Sequence, residues 1–97
     1  MPGSATDSGG WWVYLIACGD NTFYTGISPD PARRLADHEM GRGARYTRGR
    51  GPLRLVWQEG PMAHGAALRE ERRIKRLTHA EKGAMAGDGG TGLFGTG

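Results

Sequence analysis

Cysteine is nearly absent from this chain. Cys18 stands alone, so no disulfide can close within it, and a reducing, cytosolic setting is the expectation. No stretch approaches the roughly 18 consecutive apolar residues of a spanning helix. The N-terminus has neither the basic segment nor the apolar stretch of a secretory signal. His38, His64 and His79 do not combine with Cys18 at zinc-ligand spacing, which excludes a standard zinc motif. No GxxxxGK phosphate loop occurs, and Gly41-Arg42-Gly43 lacks the third glycine of a dinucleotide fingerprint. Cys18 closes an apolar strand, a place for packing rather than for a thiol nucleophile. Lysine is scarce as well: eleven of the thirteen basic residues are arginine.

Ninety-seven residues suffice for one core and not for two. Glycine gathers toward the ends, with seven among the last fifteen residues. Such segments bury too little apolar surface to offset their ordering entropy. Residues 1–10 and 87–97 are therefore expected to be disordered tails around a domain spanning residues 11–86. Charge is unevenly spread within it. Residues 1–32 hold three acids and no base, whereas residues 33–82 hold all thirteen bases against six acids. The planar fork of arginine suits phosphate oxygens, so the imbalance points to a polyanionic partner; a solvated basic surface is the plainer alternative.

Trp11–Cys18 and Phe23–Ser28 are strand-length aromatic and β-branched runs, and the turn cluster Gly19–Thr22 between them predicts a β-hairpin. Asp30 as N-cap and Pro31 at the first helical position predict a helix to about Met40, closed by Gly41. Gly41–Pro52, with four arginines and four glycines, has no period and reads as an exposed basic loop. Leu53, Leu55 and Trp57 alternate with Arg54, Val56 and Gln58, predicting a third strand over Leu53–Glu59 with one apolar face. Ala67, Leu68, Ile74 and Leu77 recur at helical spacing between Ala63 and Leu77, and Thr78 with Glu81 forms a capping box for a short last helix. The order β-β-α-β-α-α describes an α+β domain, a small three-stranded antiparallel sheet flanked by helices.

Glu71 falls within the apolar stripe of the long helix, four residues after Ala67 and three before Ile74. A carboxylate there must be paired, protonated or bound to a cation, because burial alone costs several kcal/mol. A stripe-edge acid reaching solvent or an arginine satisfies that demand. So does a ligand to a hard divalent ion such as Mg²⁺, which takes one or two protein carboxylates and completes its shell with water and phosphate. Glu70 faces away, beside Arg73. Arg34 and His38, at i and i+4, share a face of the first helix. Tyr14 and Tyr24 on the hairpin carry hydroxyls that need partners if buried. Gly26 weakens its strand unless another group must approach the backbone.

In order, Val13-Tyr14-Leu15, Tyr24-Thr25-Gly26, Arg34 and the glutamate of Ala67-Leu68-Arg69-Glu70-Glu71 form one pattern. It resembles the GIY-YIG nuclease superfamily, in particular its small stand-alone bacterial members of the YhbQ type. The strings Tyr24–Ser28, Arg33 through His38, Tyr46-Thr47-Arg48 and Ile74–Thr78 are similar to that subfamily too. The resemblance implies a metal-dependent endonuclease that hydrolyses DNA phosphodiesters, selective for structure such as branched or nicked DNA rather than sequence, in repair or recombination. RNA is left open as a substrate, and so is a partner protein.

In that reading Tyr24 helps activate the attacking water, Tyr14 lines the same site, Arg34 neutralises the scissile phosphate, His38 stands near the nucleophile, and Glu71 holds one Mg²⁺ or Mn²⁺. Arg42, Arg45, Arg48, Arg50, Arg69 and Arg73 would contact the nucleic-acid backbone. Trp12 and Val13 replace the glycine and isoleucine of the first motif, Ile27 replaces a lysine of the excision-repair branch, and no asparagine follows Glu71. A nearby arginine and a divalent cation are expected to favour a phenolate or strongly polarised hydroxyl at Tyr24. The alternative from another class is a catalytically weak nucleic-acid-binding or partner-docking module on the same scaffold; a further one pairs Glu71 internally with Arg34.

Overall fold

The computed structural model describes residues 10–87. The expected tails, residues 1–10 and 87–97, lie outside the described residues except for Gly10 and Gly87. Strands β1 (Trp11–Ala17), β2 (Phe23–Ser28) and β3 (Arg54–Met62) form one sheet in the order β2-β1-β3. Both pairings are antiparallel. Helix α1 (Pro31–Glu39) follows the hairpin, and α2 (His64–Lys75) and α3 (His79–Met85) follow β3. This is the predicted α+β architecture.

The unbroken apolar run of β1 is explained by its central place, because a strand covered on both faces has no polar side to present. Tyr14, Ile16 and Cys18 pack with Leu53 on one face, joined by Tyr24, Leu35 of α1 and Leu55. Val13 and Leu15 pack on the other with Ile74 of α2, joined by Leu77 and Met85. Helix α1 begins as the sequence dictates, with the Asp30 carboxylate accepting from the Arg33 N–H and Pro31 in the first turn. The Thr78–Glu81 capping box opens α3.

Three expectations are corrected. The third strand runs on to Met62, past Gly60 and Pro61, because the register with β1 shifts between Trp11 and Val13. Gly60 has φ 156°, and a Cβ on it would come within 2.7 Å of the Trp11 carbonyl oxygen. A bulge on an edge strand tolerates such residues. A second shift, where Leu15 faces Trp57 and Ile16 faces Leu55, leaves Val56 as the extra residue. Leu53 and Leu55 then serve the Tyr14 face, while Val56 and Trp57 both serve the Val13 face, so the single apolar face does not exist. Finally, Gly41–Pro52 is not wholly exposed: it contains a 3-10 turn over Arg45–Thr47, and Thr47 is fully buried.

Ile74 fastens α2, and hence Glu71, to the sheet. Ile74→Ala is expected to cost about 2–5 kcal/mol through lost burial and the cavity left behind. The urea midpoint of the full chain measures it.

Candidate active site

Four elements bring the predicted residues together. Tyr14 lies on β1 and Tyr24 on β2, with ring centroids 6.3 Å apart. His38, near the end of α1, sits 6.2 Å from the Tyr14 ring and 5.2 Å from the Tyr24 ring. Gly26 pairs with Tyr14 across the hairpin. A Cβ there would come within 2.6 Å of the Tyr14 hydroxyl and 3.0 Å of the Tyr24 ring, so the phenol pair requires glycine at this position.

His38 is the hub. The Ala44 backbone N–H donates to its Nδ1 at 3.0 Å, and the Thr47 hydroxyl lies 3.1 Å from the same nitrogen. A backbone amide can only donate, so Nδ1 is unprotonated and the neutral ring carries its hydrogen on Nε2. Nε2 therefore donates to the Tyr14 hydroxyl oxygen, 3.0 Å away. The Tyr14 hydroxyl accepts this bond and keeps its own proton for another acceptor. Burial, aided by the Arg34 charge, holds the imidazole below its ordinary pKa, in accord with that assignment.

Burial pushes the Tyr14 hydroxyl well above the usual phenol range, and the neighbouring Tyr24 and Glu71 add to this while Arg34 opposes it. Tyr24 is also raised, chiefly by burial; Lys75 and Arg34 pull it down and Glu71 pushes it up. With the protein's own groups alone, burial favours the neutral hydroxyl on both tyrosines; the phenolate or polarised hydroxyl expected at Tyr24 belongs to the site with a divalent cation bound. The Tyr24 hydroxyl makes no hydrogen bond among the described residues.

Arg34 and Glu71 both act on the phenols yet do not pair with each other. Arg34 lies 3.6 Å from Asp37 on its own helix. Glu71, its side chain 18% exposed, has one oxygen 3.3 Å from Lys75. The internal Glu71–Arg34 pair is therefore not formed. Among the described residues, no three His, Cys, Asp or Glu side chains cluster as a metal cage. A single half-buried carboxylate with one oxygen free of protein partners fits a hard cation that keeps most of its own water, rather than zinc or a caged calcium ion.

Three clefts flank this group, one of them, of about 320 Å³, reaching His38 and Thr47 from the loop side; the other two adjoin the phenols and Arg34. One, of about 330 Å³, is lined by Phe23, Tyr24, Thr25, Tyr46, Lys75 and Lys82; the other, of about 280 Å³, has Arg33, Arg34 and Asp37 in its wall. No single cleft is lined by all five predicted residues. Of the six arginines expected to contact nucleic acid, Arg50 is occupied by Asp20 and by the Tyr46 carbonyl, and Arg73 forms a two-bond pair with Glu70. Arg42, Arg45, Arg48 and Arg69 are exposed.

The family model described as "GIY-YIG catalytic domain" matches residues 10–84. The chain belongs to the GIY-YIG nuclease family. A UPF0213 protein of Vibrio cholerae is 51% identical over 77 residues, covering 77% of this chain and 75% of that one. A UPF0213 protein of Halobacterium salinarum is 48% identical over 73 residues, covering 75% of this chain and 95% of that one. The solution structure of the UPF0213 protein from Bacillus halodurans superposes with a TM-score of 0.51 at 38% identity, covering 84% of this chain and 87% of that one. These names specify no activity.

Sequence reasoning missed Thr47, Gly43, Tyr46 as a site neighbour, Lys75 and Lys82. Gly43 makes room for the His38 ring, which a Cβ there would strike. Lys75 stands beside Tyr24, whereas Ile27 at the family's lysine position packs into the core. The strings Tyr46-Thr47-Arg48 and Ile74–Thr78, similar to the subfamily, were the signals that held Tyr46, Thr47 and Lys75.

Two measurements follow. Gly26→Ala is expected to overpack the phenol pair and cost about 1–3 kcal/mol, read as a lower urea midpoint. The neutral form of His38 is the one the fold favours. Its stabilisation is thus complete above its ordinary pKa of 6.5 and is lost as pH falls through the lower folded value. The thermal midpoint should decline below pH 6.5, and His38→Gln should flatten that decline.

Proposed function

We propose that this protein is a divalent-metal-dependent endonuclease that hydrolyses DNA phosphodiester bonds, selecting structure rather than sequence, in repair or recombination. The observation that carries the reading is the convergence of two phenols, an imidazole, a guanidinium and a half-buried carboxylate from four elements, with the opposite charges of Arg34 and Glu71 left unpaired to each other. A structural protein has no use for that separation. A phosphodiester does, because its negative charge grows in the transition state and a preorganised cation meets it there.

Each side chain has a task. Arg34 neutralises the non-bridging oxygens of the scissile phosphate. Tyr24, a neutral phenol with a free hydroxyl, orients the attacking water through its oxygen lone pairs. Tyr14, held by the His38 N–H, directs its own proton toward a phosphate oxygen. Lys75 opposes the burial-driven rise of the Tyr24 pKa and so eases loss of its phenol proton to solvent, which must precede any proton acceptance from the attacking water. Glu71 would hold one Mg²⁺ or Mn²⁺, which when bound supplies Lewis-acid stabilisation of the leaving oxygen.

Glu71→Ala is expected to lower cleavage by at least about 100-fold, while leaving DNA affinity unchanged. Tyr24→Phe and Arg34→Ala should each reduce turnover with the fold intact. The assay is a panel of flap, nicked, four-way and linear DNAs with Mg²⁺ or Mn²⁺. Full cleavage by a nuclease-free preparation of Glu71→Ala would remove the metal-acid assignment. Salt-dependent binding with no turnover on any substrate would leave a binding module.

A further inference from the structure

We propose that the cleft at the β2 edge binds one unpaired nucleotide, its base against the Tyr46 ring and its phosphate on Lys82 and Lys75. The proposal rests on the nuclease reading and narrows its substrate to a single strand, or to a duplex distorted enough to release a base.

Tyr46 is one of two large hydrophobic residues exposed among the described residues, at 40%. It is nevertheless held in place. The Arg50 guanidinium lies 4.3 Å over its ring, Arg50 Nε–H donates to the Tyr46 carbonyl at 2.6 Å, and the same guanidinium pairs with Asp20 in the hairpin turn. An aromatic side chain that is restrained before a ligand arrives loses little further freedom on binding. Its ring is tilted 30° from that of Tyr24, with centroids 5.9 Å apart. The two rings belong to one cleft of about 330 Å³, a volume at the lower end of small-ligand sites.

The remaining polar chemistry of the cleft is cationic. Lys75 and Lys82 line it, and no acid does. Lys75 is shared with Glu71, while Lys82 has no ion pair among the described residues. A flat aromatic surface beside two ammonium groups matches a ligand that is a π-system joined to an anion. That combination is a nucleotide, because bases stack on aromatic rings irrespective of sequence and phosphates accept from ammonium groups. A base paired inside a duplex keeps its faces against its neighbours and cannot reach such a ring without leaving the stack. Tyr24 lines the cleft and also touches His38, so the bound nucleotide would adjoin the linkage being cut.

The test uses the full chain in EDTA, which prevents cleavage, with short oligonucleotides carrying one 2-aminopurine, either single-stranded or annealed. The wild-type protein should bind the single strand more tightly than the duplex and quench the probe. Tyr46→Leu should weaken single-strand binding by roughly 10-fold or more, abolish the quenching and leave duplex affinity unchanged; Tyr46→Phe should retain all three properties. Lys82→Gln should reduce the salt slope for the single strand by about 0.7, and it carries the test by itself should Tyr46→Leu not fold. If the wild-type protein binds both forms and cleaves with Mg²⁺, but these variants behave as wild type, the stacking site is wrong and the nuclease reading stands. If the wild-type protein binds neither form, both fall.

Discussion

The buried hydrogen bond between Tyr14 and His38 joins three parts of the molecule at one point. It connects the central strand of the sheet to the first helix, and through Nδ1 it reaches the backbone of a glycine- and arginine-rich loop. That loop buries one side chain, Thr47, whose hydroxyl donates its one hydrogen to the Ala44 carbonyl at 2.9 Å. Neutral imidazole is the only protonation state that serves both neighbours, an acceptor toward the loop and a donor toward the phenol. Protonation would put a hydrogen on the nitrogen that faces the Ala44 amide, where burial makes an unmet donor costly. The orientation of Tyr14 and the anchoring of the loop that carries Tyr46 therefore have a common cause. Gly26 and Gly43 make room for it on either side, one under the phenol and one against the imidazole.

The charges around this link are arranged to be given away. Arg34 and Glu71 each rest against a neighbour on their own helix, at i+3 and i+4. Such partly exposed pairs contribute only tenths of a kcal/mol. An incoming phosphate or cation can replace them at small cost, whereas a direct Arg34–Glu71 bridge would have closed the site to both. The phenols between them are neutral because burial outweighs the nearby cations. They can position water and donate to oxygen without a standing negative charge that would repel the substrate backbone.

What the sequence disclosed and what it withheld divide along a physical line. The hairpin, the Asp30-Pro31 helix start and the Thr78–Glu81 box follow from residues adjacent in the chain, and each formed where its local chemistry placed it. The five site residues were legible as an ordered set through their resemblance to the GIY-YIG pattern, not through any local rule. The bulge at Val56 was not, since it depends on how β3 meets β1 rather than on β3 alone. Thr47 was hidden in a segment whose composition reads as surface, and only the ring of His38 from another element gives it a reason to be buried. The burial of the tyrosines was hidden for the same kind of reason: nearby charges were foreseeable from the sequence, but the depth at which the hydroxyls sit was not.

The basic composition deserves a different weight once these partners are known. Arg50 is spent on bracing the loop and Arg73 on Glu70, so both contribute to internal order before they contribute to any surface field. Arg33, Arg42, Arg45, Arg48, Arg54, Arg69, Arg72 and Arg76 are exposed and have no ion pair among the described residues, and Lys82 adds one more cation at the cleft. Each neutralised phosphate adds roughly 0.7–0.9 to the salt slope, so such groups give salt-dependent affinity and almost no base readout. A protein that holds its target by backbone charge cannot select it by sequence. Its discrimination has to come from what the backbone can do locally, which is to bend or open until a phosphate reaches Arg34 and Glu71 together. Intact duplex resists that deformation, while a strand end, a nick or a branch has already made it.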